Sequence, residues 1–349
     1  MEGIEQPSQV NEDALQKLKT KKEKPMSADE FLAGILAGNP TILSKAITLV
    51  ESSLHSHQEK AGEILAKCLP YSGKSIRIGI TGVPGVGKST FIEALGKYLT
   101  GRGHKLAVLA IDPSSTLSKG SILGDKTRME ELAVDPNAFI RPSPSAGSLG
   151  GVARKTRETI VLCEAAGFDV IFVETVGVGQ SETAVHSMVD FFLLLMLAGA
   201  GDELQGIKRG IIEMADAIII NKADGDNIAK ARAAQVEYRN ALQLYPPSPS
   251  GWAPVVDTCS STSRFGIDQV WETIKKYRQT TLDNGYFIKK RAEQNRQVLH
   301  DTIGEALANH FYSNKEIHQQ VKKMEKEIVA GQLNPYAAAQ MLLDKYFEK

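Results

Sequence analysis

The chain has 349 residues, and its 41 basic and 41 acidic side chains give a formal net charge of zero. An apolar content of 42% is typical of a globular protein that buries a core, and the length predicts one large domain with appendages. The balanced charge argues against a general binder of nucleic acids or membrane surfaces. The cysteines, Cys68, Cys163 and Cys259, are far apart, so the sequence predicts neither a disulfide framework nor a zinc site.

Residues 1–26 are polar and include a lysine cluster at 17–24. We predict that they form a mobile arm with solvated lysines. The segment lacks the arginines and the apolar stretch of a transit or signal peptide. The longest apolar run, Phe191 to Ala198, is too short to cross a bilayer. We therefore expect a cytoplasmic protein.

A helical region is predicted over residues 27–72. Ser27 and Glu30 have the spacing of a capping box, which marks the start of a helix. Asn39-Pro40 predicts a second helix start with proline at its first position.

Between residues 73 and 280, apolar runs alternate with segments of helical character. This alternation predicts an α/β domain with a mostly parallel sheet, flanked by helical N-terminal and C-terminal extensions. Ligands of such sheets bind at the carboxyl ends of the strands. The predicted strands are Ile76–Ile80, Leu106–Ile111, Asp169–Glu174, Phe191–Leu197, Ala217–Ile220 and Val255–Thr258.

A glycine-rich motif follows the first predicted strand and precedes a helical segment. It fits the P-loop pattern G-x-x-x-x-G-K-[ST], in which backbone amides and the helix N-terminus bind phosphate. Lys88 is expected to reach the β- and γ-phosphates, and the Ser89 hydroxyl to bind Mg²⁺. The alternative, a structural glycine turn, does not explain these flanks. The predicted phosphate site comprises Gly82, Val83, Pro84, Gly85, Val86, Gly87, Lys88, Ser89 and Thr90.

A guanine-recognition motif, N-K-x-D, stands at the end of a later strand as Asn221, Lys222 and Asp224. A carboxylate accepts hydrogen bonds from guanine that adenine cannot donate, so the motif predicts GTP rather than ATP. Downstream, Ser260 and Ser261 occupy the place of the loop that backs the guanine, although a plain strand-to-loop turn is the alternative.

Acidic residues follow two further strands. Glu174 and then Gly177 resemble a Walker B strand and a switch, in which the acid holds Mg²⁺ and the Gly177 amide contacts the γ-phosphate. Gln180 is a candidate to orient the attacking water, or else an exposed loop residue. Asp112 and Asp125 are candidate metal or switch residues, with surface charges as the alternative.

The tail, residues 281–349, is helical and charged. Ile317, Val321, Met324 and Ile328 repeat at the spacing of a short coiled-coil seam. The seam predicts either dimerisation or packing on the same chain, and Asn334-Pro335 starts a final helix.

Taken together, these motifs resemble the methylmalonyl-CoA mutase-associated GTPases, the MeaB/ArgK group of the SIMIBI class, over residues 27 to 349. Besides the P-loop and N-K-x-D, the resemblance rests on segments 111–115, 124–129, 139–144, 174–182 and 201–208.

The resemblance implies a GTPase that acts as a chaperone of an adenosylcobalamin-dependent acyl-CoA mutase, and a homodimer formed through the C-terminal helices. It implies GTP or GDP and Mg²⁺ as ligands, with Lys88 and Ser89 on phosphate and metal. By the same resemblance, Asp112, Asp125 and Glu174 serve the metal and the switch, and Lys208 lies in a loop that communicates with the mutase.

Other functions are less consistent with these motifs. A kinase for arginine and ornithine transport has little support, because the sequence shows no membrane segment and its guanine-recognition motif argues against a typical ATP-dependent kinase. A small-molecule phosphotransferase would need an acceptor pocket with a catalytic base. A metal-insertion GTPase would need histidines and cysteines at ligand spacing, which the sequence lacks. A cobalamin enzyme would need a D-x-H-x-x-G motif, which is also missing.

Overall fold

The structure is a computed structural model that describes residues 26–111, 129–142, 149–175, 181–199 and 209–347. A seven-stranded sheet in the order β3-β2-β4-β1-β5-β6-β7 forms its centre, and every neighbouring pair is parallel. The predicted fold class is confirmed. The strands are β1 (Ile76–Gly82), β2 (Leu106–Ile111), β3 (Ala138–Pro142), β4 (Val170–Thr175), β5 (Phe191–Leu197), β6 (Ala217–Asn221) and β7 (Val255–Thr258).

Helices surround the sheet and extend from both of its ends in sequence. The helices within the described ranges are α1 (Ala28–Leu36), α2 (Pro40–Glu51), α3 (His55–Cys68), α4 (Lys88–Thr100), α5 (Glu130–Ala133), α6 (Leu149–Ala165), α7 (Ser181–His186), α8 (Arg209–Met214), α9 (Ile228–Leu242), α10 (Ile267–Asp283), α11 (Tyr286–Ser313), α12 (Lys315–Val329) and α13 (Pro335–Phe347).

Strand β3 is an element that the sequence analysis did not predict. Among the described strands it pairs with β2 alone, at one edge of the sheet, and it ends in Arg141 and Pro142. An edge strand needs less apolar sequence than a central one, so its short run gave a weak signal. The other strands lie close to where they were predicted: β4 begins and ends one residue later than Asp169–Glu174, and β6 extends one residue further, to Asn221. β1 runs two residues further than expected because Thr81 and Gly82 remain paired with β5.

The predicted helix starts are confirmed in the N-terminal region. The Ser27 hydroxyl accepts from the Glu30 amide at 3.2 Å, and the Glu30 carboxylate accepts from the Ser27 amide at 2.6 Å. Asn39 Oδ1 accepts from the amides of Thr41 and Ile42. Both caps satisfy amides that a helix leaves unpaired at its start. Helices α1, α2 and α3 pack on one another and on α6.

The core is the sheet itself, because both of its faces are covered. All six residues of β2 and of β4 are buried, the continuous apolar pattern expected of central parallel strands. Gly79 lies under α7: an added Cβ there would stand 2.8 Å from Phe192 Cδ2 and 2.9 Å from Val185 Cγ1. A glycine at this position lets α7 lie close against β1.

The edge at β7 is covered by side chains. The Val256 carbonyl accepts from Gln235 Nε2 at 2.9 Å and from Arg239 Nη2 at 3.3 Å, both on α9. The Thr258 amide donates to Asp257 Oδ1 at 2.8 Å. Two outward-facing backbone groups at this edge are therefore satisfied by the chain's own side chains.

Helices α11, α12 and α13 form an extension that we call the C-terminal arm. Asn314 caps α12, and Asn334 caps α13 as predicted. Ile317 of the predicted seam is buried, and Val321 lines a cavity of about 490 Å³ between α11 and α13. In this chain Ile317 and Val321, the first half of the seam, thus face the arm's own helices. None of the described helices combines the length and apolar character needed to traverse a lipid bilayer.

Candidate nucleotide-binding site

The P-loop connects β1 to α4 at the carboxyl edge of the sheet. Gly82 is required by close packing, because an added Cβ would stand 2.5 Å from the Leu195 carbonyl oxygen. Gly85 and Gly87 have φ values of 78° and 90°, which glycine adopts readily and other residues rarely do. Gly87 is the residue immediately before α4. The loop therefore turns directly into a helix N-terminus, the arrangement that favours bound anions.

The Lys88 amino group lies across this loop. Lys88 Nζ donates to the Gly82 carbonyl at 2.8 Å and to that of Val83 at 3.4 Å. Burial lowers the pKa of Lys88, while the carboxylates of Glu174 and Glu182 act in the opposite direction. A partly desolvated cation beside the loop interacts more strongly with phosphate than a solvated one. Ser89 is half-buried and Thr90 is exposed.

Glu174 lies beside the P-loop strand. It is a buried residue of β4 and is paired with Ile80 of β1. The next residue, Thr175, donates its hydroxyl hydrogen to Thr81 Oγ1 at 2.8 Å, which joins the two strand ends. The Ser89 hydroxyl and the Glu174 carboxylate are hard oxygen donors of the kind that Mg²⁺ prefers, so the described residues fit this metal.

Several predicted site residues lie outside the described residues. They are Asp112, Asp125, Gly177, Gln180 and Lys208, so their predicted roles stay predictions. Within the described ranges, no group of three or more His, Cys, Asp or Glu side chains is placed to hold a metal ion.

The guanine-recognition motif is bonded to the P-loop. Asn221 Nδ2 donates to the Val86 carbonyl and Lys222 Nζ to the Gly85 carbonyl, each at 2.8 Å. Lys222 has a φ of 59°, a conformation that turns the chain sharply after β6. These two bonds bring together motifs that lie more than 130 residues apart.

The Ser260–Ser261 loop holds the acceptors of that motif in place. Ser260 donates a short hydrogen bond to Asp224 Oδ2, and the Ser263 amide donates to Ser260 Oγ at 3.1 Å. Ser261 donates to Asn221 Oδ1 from its hydroxyl at 2.8 Å and from its amide at 3.2 Å. The loop therefore contacts the motif directly, instead of being a separate turn.

Two residues of this site were not assigned a role from the sequence. Cys259 is buried with its Sγ 3.4 Å from Asn221 Oδ1, so it packs directly against the guanine-recognition motif. Gly266 has a φ of 78°, and an added Cβ would lie 2.6 Å from the Thr258 carbonyl oxygen. In the sequence, the position of Gly266 directly before the helical pattern that starts at Ile267 could have indicated this role.

Comparison with known proteins decides the family. The family model described as methylmalonyl Co-A mutase-associated GTPase MeaB matches residues 43–316. The chain belongs to the MeaB family. As a member of that family with relatives named GTPases, it is a GTP hydrolase, and the resemblance seen in the sequence is confirmed.

Relatives of this MeaB family member match along nearly all of its length. A Mycobacterium tuberculosis protein named "Probable GTPase" is 50% identical over 318 residues, which cover 91% of this chain and 95% of that protein. A Mus musculus protein named methylmalonic aciduria type A homolog, mitochondrial, is 47% identical over 91% of this chain and 79% of that protein. A crystal structure of a LAO/AO transport system kinase has a TM-score of 0.71 and 37% identity, covering 92% of this chain and 98% of that one.

Proposed function

We propose that this GTPase is a chaperone of an adenosylcobalamin-dependent acyl-CoA mutase, and that it couples GTP hydrolysis to cofactor loading and to protection or reactivation of the mutase. The observation that carries the proposal is the family match over 43–316, whose description names a mutase. The name of the mouse relative, which refers to methylmalonic aciduria, supports methylmalonyl-CoA mutase as the client.

The bound nucleotide spans the two linked motifs in this proposal. Its phosphates lie at Gly82–Thr90, within reach of the Lys88 amino group and the N-terminus of α4. Its guanine lies against Asn221, Asp224 and the Ser260–Ser261 loop. Asp224 accepts hydrogen bonds from two guanine donors, and the Ser260 bond holds that carboxylate in one orientation.

Hydrolysis is attack of water on the γ-phosphate, which breaks the bond to the β-phosphate oxygen and gives GDP and phosphate. Lys88 stabilises the charge on the transferred group, and the Gly177 amide contacts it. Gln180 orients the attacking water. Ser89, Glu174, Asp112 and Asp125 would hold Mg²⁺, which would supply further charge neutralisation. These assignments make catalysis a matter of positioning and charge, with no covalent intermediate.

Communication with the mutase is assigned to Lys208, and a homodimer is assigned to the C-terminal arm. The arm exposes apolar side chains suited to a second copy: Leu299, Ile303 and Leu307 on α11 are 57%, 49% and 61% exposed.

The deciding experiment measures GTP turnover by the purified protein while methylmalonyl-CoA mutase is added, with ATP as the control nucleotide. We expect saturable stimulation of GTP turnover and none with ATP. Lys88→Ala should lose turnover, whereas Lys276→Ala, an exposed lysine of α10, should retain it. Slow GTP turnover with no response to the mutase would contradict this client.

A second function is tested in the same assay, because the structural neighbour is titled a transport system kinase. A kinase linked to arginine or ornithine transport would consume ATP when either amino acid is added. Acceptor-dependent ATP consumption would favour that function over the chaperone.

A further inference from the structure

A four-residue connection, Ser187 to Asp190, joins α7 to β5; we call it the junction. Its last residue, Asp190, is buried at the start of β5. The Asp190 carboxylate accepts from the Arg77 amide at 2.8 Å and from Arg291 Nε and Nη2 at 2.8 and 2.7 Å. Arg77 belongs to β1 and Arg291 to α11, so one carboxylate ties the C-terminal arm to the sheet.

The backbone of Asp190 is held as firmly as its side chain. Its carbonyl accepts from the Tyr277 hydroxyl at 2.9 Å and from Lys290 Nζ at 2.8 Å. Arg291 also donates to the carbonyls of Gly73 and Ser75. Removing one partner of a buried ion pair is strongly destabilising, so Asp190 and Arg291 form a fixed anchor.

Gln294 and Arg157 form hydrogen bonds with two other residues of the junction. Gln294 Nε2, on α11, donates to the Val189 carbonyl at 2.9 Å. Arg157, on α6, donates from Nη2 to Ser187 Oγ at 2.8 Å and from Nη1 to Asp301 on α11 at 3.0 Å. Ser187 in turn donates to the Ala184 carbonyl within α7 at 2.7 Å. The C-terminal arm therefore contacts the junction after the carboxyl end of α7 in two ways: directly through Gln294, and indirectly through Arg157 of α6.

The opposite end of α7 lies by the nucleotide site. Glu182 is 1% exposed, and its charge acts on Lys88 together with that of Glu174. Helix α7 has six residues and is therefore about 9 Å long. Val185 packs it against β1 beside Gly79. A short, packed helix transmits a displacement of either end to the other.

We infer that Gln294 and Arg157 are positioning residues for GTP hydrolysis, which act through the junction and α7 to couple the nucleotide site to the C-terminal arm. The inference rests on the proposed placement of the phosphates at Lys88. Coupling of this kind is reciprocal. If the bound nucleotide changes the position of the C-terminal arm, then a change in the contacts between the arm and the junction must change nucleotide affinity.

The first test compares the affinities of Gln294→Ala and Arg157→Met for GDP and for a non-hydrolysable GTP analogue. We expect the ratio of the two dissociation constants to change by about fivefold or more, the range typical of coupled sites, with a lower turnover number. The matched control is Gln279→Ala, an exposed α10 glutamine whose Nε2 donates to Asp283 in the same helix. A ratio within twofold of this control for both variants would overturn the inference.

The second test measures the arm itself. Spin labels at Glu237→Cys on α9 and Val329→Cys at the end of α12 report the distance between sheet domain and arm, because the three native cysteines are buried. Labelled protein is diluted with unlabelled protein so that only distances within one chain are seen. We expect the distance distribution to differ between GDP and the GTP analogue, and to lose that difference in Gln294→Ala.

The outcomes separate this inference from the proposed function. A chain that binds GTP and responds to the mutase, but shows the same arm distance with both nucleotides, overturns the coupling alone. A chain that does not bind GTP at its P-loop overturns the site and the coupling together. A purely structural role would lower the melting temperature of Gln294→Ala and leave the affinity ratio unchanged, which also overturns the inference.

Discussion

In the proposed site, we expect base selection to depend on the Asp224 carboxylate, which the Ser260 hydroxyl holds in place. The Asp224→Asn variant should bind GTP about 10- to 100-fold more weakly without gaining ATP affinity, because a hydrogen bond to a charged group contributes about 1.5–3 kcal/mol. Ser260→Ala keeps the carboxylate and loses only its tether, so its loss should be smaller. Fluorescent nucleotide titrations measure both. An unchanged GTP affinity in Asp224→Asn would contradict the assignment.

Asp216, directly before β6, and His186, at the end of α7, have opposite effects on how the stability of the protein depends on pH. Burial raises the pKa of Asp216 from 3.8 to about 6, and burial next to Lys290 lowers that of His186 from 6.5 to about 4. The folded state holds the Asp216 proton more tightly, so its contribution to stability falls as pH rises from about 4 to about 6. The folded state disfavours protonation of His186, so that contribution falls as pH drops through the same range.

Replacing Asp216 removes the contribution that lowers stability as the pH rises and leaves that of His186. The gain in unfolding free energy of Asp216→Asn over the wild type should be larger at pH 7.5 than at pH 4.5, by up to about 2 kcal/mol. Urea unfolding at both pH values measures it, and the wild type should show a flatter profile than the variant. The same gain at both pH values would show that Asp216 titrates normally.

At the scale of elements, the close contact between α7 and β1 depends on the glycine at position 79, which has no side chain to separate them. Gly79→Ala places a methyl group 2.8 Å from Phe192 Cδ2 and should cost about 1–3 kcal/mol of stability, the range for overpacked cores. Gly62→Ala is the matched control, since an added Cβ on α3 has no neighbour within 4 Å. It should stabilise the protein by about 0.5–1 kcal/mol. Denaturant midpoints that move in the same direction for both would argue against this packing.

The elements and the motifs differ in how far sequence alone predicts them. The apolar strands and the capped helices follow from local patterns, and so do the P-loop and N-K-x-D. The bonds from Asn221 and Lys222 to the P-loop do not, because spacing along the chain says nothing about which loops meet. β3 gave a weak signal as a short edge strand. The spacing of the Ile317–Ile328 seam predicts an apolar helix face, but it does not indicate which surface that face packs against.

Across the whole molecule, the arm is the element expected to determine the oligomeric state. Removing residues 315–349 should convert a dimer into a monomer, because the deleted helices carry exposed apolar residues: Val329, Tyr336 and Phe347 are 89%, 85% and 76% exposed. Light scattering on the full and shortened chains measures the mass. A shortened chain that stays dimeric would show that these helices do not hold the dimer and would leave the apolar stripe of α11 as the contact.

The covered edge at β7 limits the ways in which this protein recognises others. A strand that docks on a sheet pairs with backbone acceptors and donors at its margin, and here the Val256 carbonyl and the Thr258 amide are already engaged by side chains. A peptide adding itself as an eighth strand would first have to displace Gln235, Arg239 and Asp257. Covered margins also protect a sheet from templating aggregates. Recognition by strand addition is thereby disfavoured at the β7 edge of the sheet.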